Sequence, residues 1–222
     1  MLHAQLRQEV LDTANTLRTY GLVWMAGGTV CARDPDSGHI VVTPSGLDYT
    51  LLSASDMIVT NLDMNVLEGP YRPSVALNLW TELLRNRPQM HAIVHTHSTH
   101  ATAFSVADQS IPMVTETIAN WFGGSVPVAP YLHVEDPKFA TTPVEVLGDG
   151  FGVLLGRHGP ITIGATLHDA LERAVTLEEG AKIYFAACAL GEPRVFSEAE
   201  ARSSYDYYSQ RYGQPKTKER AL

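Results

Sequence analysis

The sequence predicts an α/β sandwich built as a single domain around a mixed sheet. Three observations carry this. Stretches with the period of a buried helical stripe alternate with short β-branched runs along the whole chain. Several of those runs follow one another closely enough to fold back as hairpins, so the sheet cannot be purely parallel. The 222 residues are enough for one unit with a full hydrophobic core and no disulfide staples.

The elements follow in order. Residues 2–20 place Leu2, Leu6, Val10 and Leu17 near one helical face, and Gly21 stops the helix. Residues 26–33 form a turn-rich segment, with Gly27 and Gly28 letting the backbone come close to a neighbour. A strand over 39–43 is broken by Pro44-Ser45-Gly46, and a strand over 57–60 turns back as a hairpin through Asn61 to Glu68. Pro73-Ser74 opens a helix to about Arg87, with Ala76, Leu79, Trp80, Leu83 and Leu84 on its inward stripe and Pro88 beyond it. Residues 92–97 are a short strand, and a helix follows from Thr99. Strands are expected near 111–114, 126–129 and 151–156. Thr166 and Asp169 form a capping box for a long helix to about Leu190, carrying Glu178 and Lys182 as an i,i+4 pair. A last helix covers 197–211. The domain therefore spans 1–213, and 214–222, which lacks apolar anchors, is expected to be a flexible C-terminal tail.

Composition narrows the function classes. Sixteen Lys and Arg against 24 Asp and Glu give a formal charge of −8. That opposes nucleic acid and anionic membranes as partners, both of which require a basic face. A small anionic substrate remains compatible, since a few local donors hold one phosphate. The only cysteines, Cys31 and Cys188, form no C-x-x-C pair, so a reducing cytoplasm is the expected compartment. No apolar run approaches the ~18 residues that a membrane span needs.

Nine histidines stand out. His95-Thr96-His97 puts two imidazoles on one face of a strand, with Cα atoms roughly 6.5 Å apart, a workable bite for one cation. The competing reading of a bare His-x-His is a solvated strand face. His158, in Arg157-His158-Gly159-Pro160, lies between the end of the strand near 151–156 and a Gly-Pro turn, a rigid rim where a third ligand fits.

These motifs, together with Thr43-Pro44-Ser45-Gly46, Arg72-Pro73-Ser74, the Ile111-Pro112 turn, residues 124–131 and the Glu178-Glu179 helix, make the chain resemble the class II aldolase/adducin family over about residues 5–214. Ser45-Gly46-Leu47-Asp48-Tyr49 and Arg211-Tyr212-Gly213-Gln214 are most similar to its L-ribulose-5-phosphate 4-epimerase and L-fuculose-phosphate aldolase branch. The resemblance implies a central, mainly antiparallel sheet flanked by helices, and a homotetramer with sites at subunit interfaces. It implies His95, His97 and His158 as ligands of a divalent metal, zinc first, with Mn²⁺, Co²⁺ and Fe²⁺ as alternatives. It also implies a phosphate-type pocket at Thr29, Ser45, Gly46 and Ser74, and metal-assisted retro-aldol cleavage of a hydroxy-carbonyl, sugar-phosphate-like substrate through an enediolate.

The chain also departs from the family pattern. The family carboxylate nineteen residues before the first metal histidine is replaced by Ala76. Thr29 stands for the usual Asn, Cys31 for a Ser, and Val75 for the second Ser of a pair. The epimerase Asp falls on Asn120, while its Tyr is kept as Tyr212. Acid–base work then falls to a water activated at the metal, to Tyr212, or to Glu116, which lies one helical turn or two strand steps from Asn120. The expected activity is a metal-dependent lyase. The alternatives are a decarboxylase of an oxo-acid or aromatic acid, which needs an electron sink but no base at carbon, an L-ribulose-5-phosphate 4-epimerase, and a non-catalytic adducin-like binding protein.

Overall fold

A computed structural model describes residues 1–212. The proposed tail, with Gly213 and Gln214, lies outside the described residues. In chain order the strands are β1 (Thr29–Arg33), β2 (Ile40–Val42), β3 (Ile58–Thr60), β4 (Val66–Glu68), β5 (Ala92–His95), β6 (Val128–Ala129), β7 (Gly152–Leu155) and β8 (Gly159–Gly164). The helices are α1 (Ala4–Thr19), α2 (Leu77–Asn86), α3 (Thr99–Val106), α4 (Glu116–Phe122), α5 (Thr141–Leu147), α6 (Leu167–Cys188) and α7 (Glu198–Arg211).

The strands form one sheet in the order β4-β3-β2-β1-β5-β8-β7-β6. Every pairing is antiparallel except β6 with β7. The two faces are sorted by residue parity along each strand. Cys31, Ile93, Val153 and Leu155 point to the side packed by Trp80 and Leu83 of α2 and Leu147 of α5. Val30, Ala32, Ala92 and Val94 point to the other side, against Val10 and Leu17 of α1 and Ala170 and Ala174 of α6. Leu154 shares that second side with Phe104 of α3, Ile118 and Phe122 of α4, Leu177 of α6 and Ala201 of α7. The result is the expected α/β/α sandwich with a mixed, mainly antiparallel sheet.

Several local expectations needed correction. Thr29–Arg33 is not a turn but a central strand between β2 and β5. It is covered on both faces, so it lacks the polar alternation that marks a strand, and the turn is confined to the residues before it, where Gly27 N–H bonds Trp24 O at 3.0 Å. Likewise Gly159-Pro160 begins β8, whose six residues are all buried. The turn is Gly156–His158. α2 begins at Leu77 rather than Pro73, because Pro44 and Pro73 form a β-bridge that holds the preceding backbone extended. β5 stops at His95, leaving His97 in the connection to α3. The segment 111–114 contributes only the bridge Ile111↔Val126. α5 had no sequence signal strong enough to place it. Glu178 does not pair with Lys182, which instead bonds Glu179 at 2.6 Å. Glu178 turns inward. Arg33 of β1 donates to the carbonyls of Leu84 and Met90.

Other expectations hold. Gly21 has φ 69° just past α1. Thr166 and Asp169 form the capping box of α6. Ser197 caps α7, and β3 with β4 make the hairpin.

Candidate metal centre

Three sheet-derived positions converge at one end of the β5–β8–β7 region. His95 closes β5, where it pairs with Thr29 of β1 and Ile161 of β8. His97 follows two residues later, and His158 sits in the β7–β8 turn. Gly28 makes this close packing feasible: its φ is +83°, and a Cβ there would lie 2.6 Å from the His95 carbonyl oxygen. Gly27 leaves room for the His97 ring, since a Cβ would come within 3.0 Å of its Nδ1.

The Nε2 atom of His97 lies 3.2 Å from that of His95 and 3.1 Å from that of His158. His95 Nδ1 is 2.9 Å from the Pro160 carbonyl oxygen. A carbonyl only accepts, so His95 carries its proton on Nδ1 and turns a bare Nε2 lone pair toward the other rings. Protons alone cannot satisfy all three. If His97 Nε2–H donates to His95, its nitrogen has no lone pair left to accept from His158. A single cation among the three nitrogens accepts every lone pair, which is the donor set and closeness that a divalent metal requires. Burial pushes all three imidazoles below their ordinary pKa, and the neighbouring His158 and His97 lower His95 further. The rings are therefore neutral near pH 7, the state in which they ligate.

The histidines open onto a cavity of about 150 Å³. Its polar wall is Thr29, Ser45, Gly46 and Ser74, and its apolar wall includes Ala76, Trp80, Phe139 and Leu155. The pairing of Thr29 with His95 across β1 and β5 explains why a residue so distant in sequence reaches the site. The Pro44–Pro73 bridge and the Ser45 N–H to Arg72 O bond, 3.1 Å, bring Ser45-Gly46 beside Ser74. The Ser74 hydroxyl accepts from the Trp80 indole N–H at 3.0 Å and lies 3.2 Å from the Thr29 hydroxyl. Apart from the three histidines, no acidic or basic side chain lines this cavity among the described residues. Ala76 lies at the N-cap of α2, where its methyl offers no ligand and no proton.

Glu116, Asn120 and Tyr212 are gathered elsewhere, in a second cleft of about 560 Å³ between α4, α6 and the end of α7. Asn120 Oδ1 accepts from Ser204 Oγ at 2.8 Å, and the Tyr212 ring stacks on Tyr208 with centroids 4.7 Å apart. No residue lines both clefts. Within one chain, the structure thus joins the metal and substrate-binding candidates to each other, and the acid–base candidates to each other, but leaves the two sets apart. Sequence reasoning missed the Pro160 carbonyl, which the Gly-Pro turn reading concealed. It also missed Phe139, which reaches the site from the irregular segment before α5 and carries no motif.

Comparison with known proteins gives the family and the fold. The family model for the class II aldolase and adducin N-terminal domain matches residues 8–185. An L-fuculose 1-phosphate aldolase superposes with a TM-score of 0.90 at 27% identity, covering 94% of this chain and 98% of that one. YgbL from Escherichia coli, whose description leaves aldolase, epimerase and decarboxylase open, is similar at TM-score 0.83 and 29% identity, over 92% of this chain and 100% of that one. The L-fuculose-1-phosphate aldolase of Thermus thermophilus matches at TM-score 0.72 and 25% identity, over 87% and 100%.

Proposed function

The chain belongs to the class II aldolase and adducin family, and from that membership we propose that it is a divalent-metal-dependent lyase that splits a hydroxy-carbonyl substrate by retro-aldol cleavage. The observation that carries this reading is the convergence of the three Nε2 atoms at the mouth of a small cavity. His95, His97 and His158 would hold the metal. Their all-nitrogen donor set favours Zn²⁺, with Mn²⁺, Co²⁺ and Fe²⁺ as substitutes. When bound, such a cation supplies Lewis-acid polarisation of a carbonyl and an adjacent hydroxyl oxygen.

The chain's own residues do the rest. Thr29, Ser45, Gly46 and Ser74 orient the polar, anionic end of the substrate, in keeping with the sugar phosphate named for the fuculose aldolases. Trp80, Phe139 and Leu155 keep water from the reacting carbons. Because the cavity lacks a carboxylate, proton transfer falls to Tyr212 or Glu116, with Asn120 as a hydrogen-bonding partner, supplied by a second copy in a homotetramer. Both cysteines are free, which suits a reducing, cytoplasmic setting. No helix among the described residues is long and apolar enough to cross a membrane.

The test is to strip the protein of metal and reload it with Zn²⁺, Mn²⁺ or Co²⁺ before assay on L-fuculose 1-phosphate and a panel of other sugar phosphates and hydroxy-keto acids. Cleavage restored by at least one metal is expected. No cleavage with any of them would reject the proposal. One observation favours a second reading: Ala76 removes the base from the cavity wall, and decarboxylation of an oxo-acid needs no carbon-bound proton to be abstracted. CO₂ release from such an acid, lost on His95→Ala, would select it.

A further inference from the structure

One buried carboxylate outside the cavity is held by several donors and has no part in the chemistry above. Glu178, in the middle of α6, is only 6% exposed. Its partners are at the start of α3, far away in sequence. Oε1 accepts the His100 backbone N–H at 2.9 Å and the His100 ring Nδ1–H at 2.8 Å, and Oε2 accepts the Ala101 N–H at 2.9 Å. The first turn of a helix leaves unpaired N–H groups that its N-cap side chain usually satisfies. Here the N-cap residue, Ser98, makes no such bond. Glu178 supplies the acceptor from another helix, with its negative charge at the positive end of α3.

The position of that clamp matters because β5 ends at His95 and α3 starts at Thr99. Only Thr96, His97 and Ser98 lie between. On one side this short link is fixed by the strand pairing of His95 with Thr29 and Ile161. On the other it is fixed by Glu178. We propose that Glu178 is a positioning residue for the metal centre: by clamping the first turn of α3, it sets where His97 presents its Nε2 to His95 and His158. This rests on the reading of the three histidines as a metal site. A glutamine cannot replace the carboxylate, because one end of its amide is an NH₂ that would face N–H donors.

The test is Co²⁺ binding to metal-stripped wild type and Glu178→Gln, followed by the visible d–d absorption, which reports ligand geometry without any turnover. Partners that orient a metal ligand typically contribute about 10- to 100-fold in affinity, and a loss of that size with a displaced d–d band is expected while the variant remains folded by circular dichroism. A folded variant with wild-type affinity and an unmoved band would overturn the proposal, even if its melting temperature fell, because that would be a purely structural role. Should Glu178→Gln not fold, His100→Ala decides. It removes only the ring bond, and a smaller loss in the same direction is expected, whereas no change in either readout would overturn the proposal. Wild type that takes up no Co²⁺ would overturn the metal reading itself and this inference with it, a failure visible in the unmutated protein.

Discussion

The two clefts of this chain are built on opposite principles. The histidine cavity is assembled from strand ends, where β1, β5 and β8 lock backbone to backbone and bring the Nε2 atoms of His95 and His158 to within 3.2 Å of that of His97. The cleft at α4, α6 and α7 is wider and lined by side chains on these helices and just beyond α7, among them Glu116, Asn120 and Tyr212. The first has ligands but no proton donor or acceptor other than hydroxyls and the imidazoles themselves. The second has two carboxylates and several phenols but no metal-binding cluster among the described residues. Rigid strand ends suit ligation, which tolerates little displacement. An exposed helical cleft suits groups that complete a site when another surface arrives. Each cleft lacks what the other carries, so the proposal assigns the two halves of one reaction to two copies of the chain.

The contrast can be broken most severely at the metal end. His97→Ala is expected to reduce Zn²⁺ or Co²⁺ affinity by more than the roughly 10- to 100-fold contributed by orienting partners, because it removes a ligand outright. Calorimetric titration of stripped protein would show this, and unchanged affinity would remove His97 from the metal set. Next in size, Tyr212→Phe should leave metal uptake intact and lower turnover by about 100-fold, a typical share for acid–base assistance. A fall in metal content instead of turnover would refute the division between the clefts.

Two smaller effects sharpen the same comparison through stability. Gly28→Ala forces a side chain at φ +83° and 2.6 Å from the His95 carbonyl. A loss of about 1–3 kcal/mol is expected from denaturant melts, while an unaffected midpoint would show that the strand ends are less tightly packed than described. The acid limb of stability tests Glu178. Burial alone would raise its carboxyl, but the Ala101 and His100 N–H bonds outweigh burial and hold it below the usual value. A depressed carboxyl contributes stability above its ordinary pKa, near about 4.3, and loses it as pH falls through the folded value. Melting temperatures followed downward from pH 6 should therefore drop more steeply for wild type than for Glu178→Gln. Parallel curves would remove the contribution.

The same division governs what could be read from the sequence. The histidines were legible because spacing and residue type carry ligation chemistry, although His97 proved to lie just beyond the strand that the spacing argument used. Amphipathic helices such as α1 and α6 were legible from one buried stripe and their caps. Strands β1 and β8 were not. Both are covered on two faces, and Gly28 before one and Gly159-Pro160 opening the other imitate turns. Glu178 looked like a surface partner of Lys182, because helical spacing describes neighbours on one helix and cannot foresee a second helix presenting bare N–H groups. The separation of Asn120 and Tyr212 from the histidines within one chain could not be read from their spacing, since a motif fixes residues along a chain and not in space; only the family resemblance, with its sites at subunit interfaces, pointed that way.

The sharing of one site between copies is tested most directly by mixing subunits. His97→Ala and Tyr212→Phe homo-oligomers, each nearly inactive on whichever substrate the panel identifies, would be dissociated, combined in equal amounts and reassembled. If each site takes its histidines from one copy and its tyrosine from the next, random reassembly leaves about one site in four fully wild type, and activity should return to about that fraction. Hybrids that form in the expected proportions yet stay as inactive as their parents would contradict a site built from two copies.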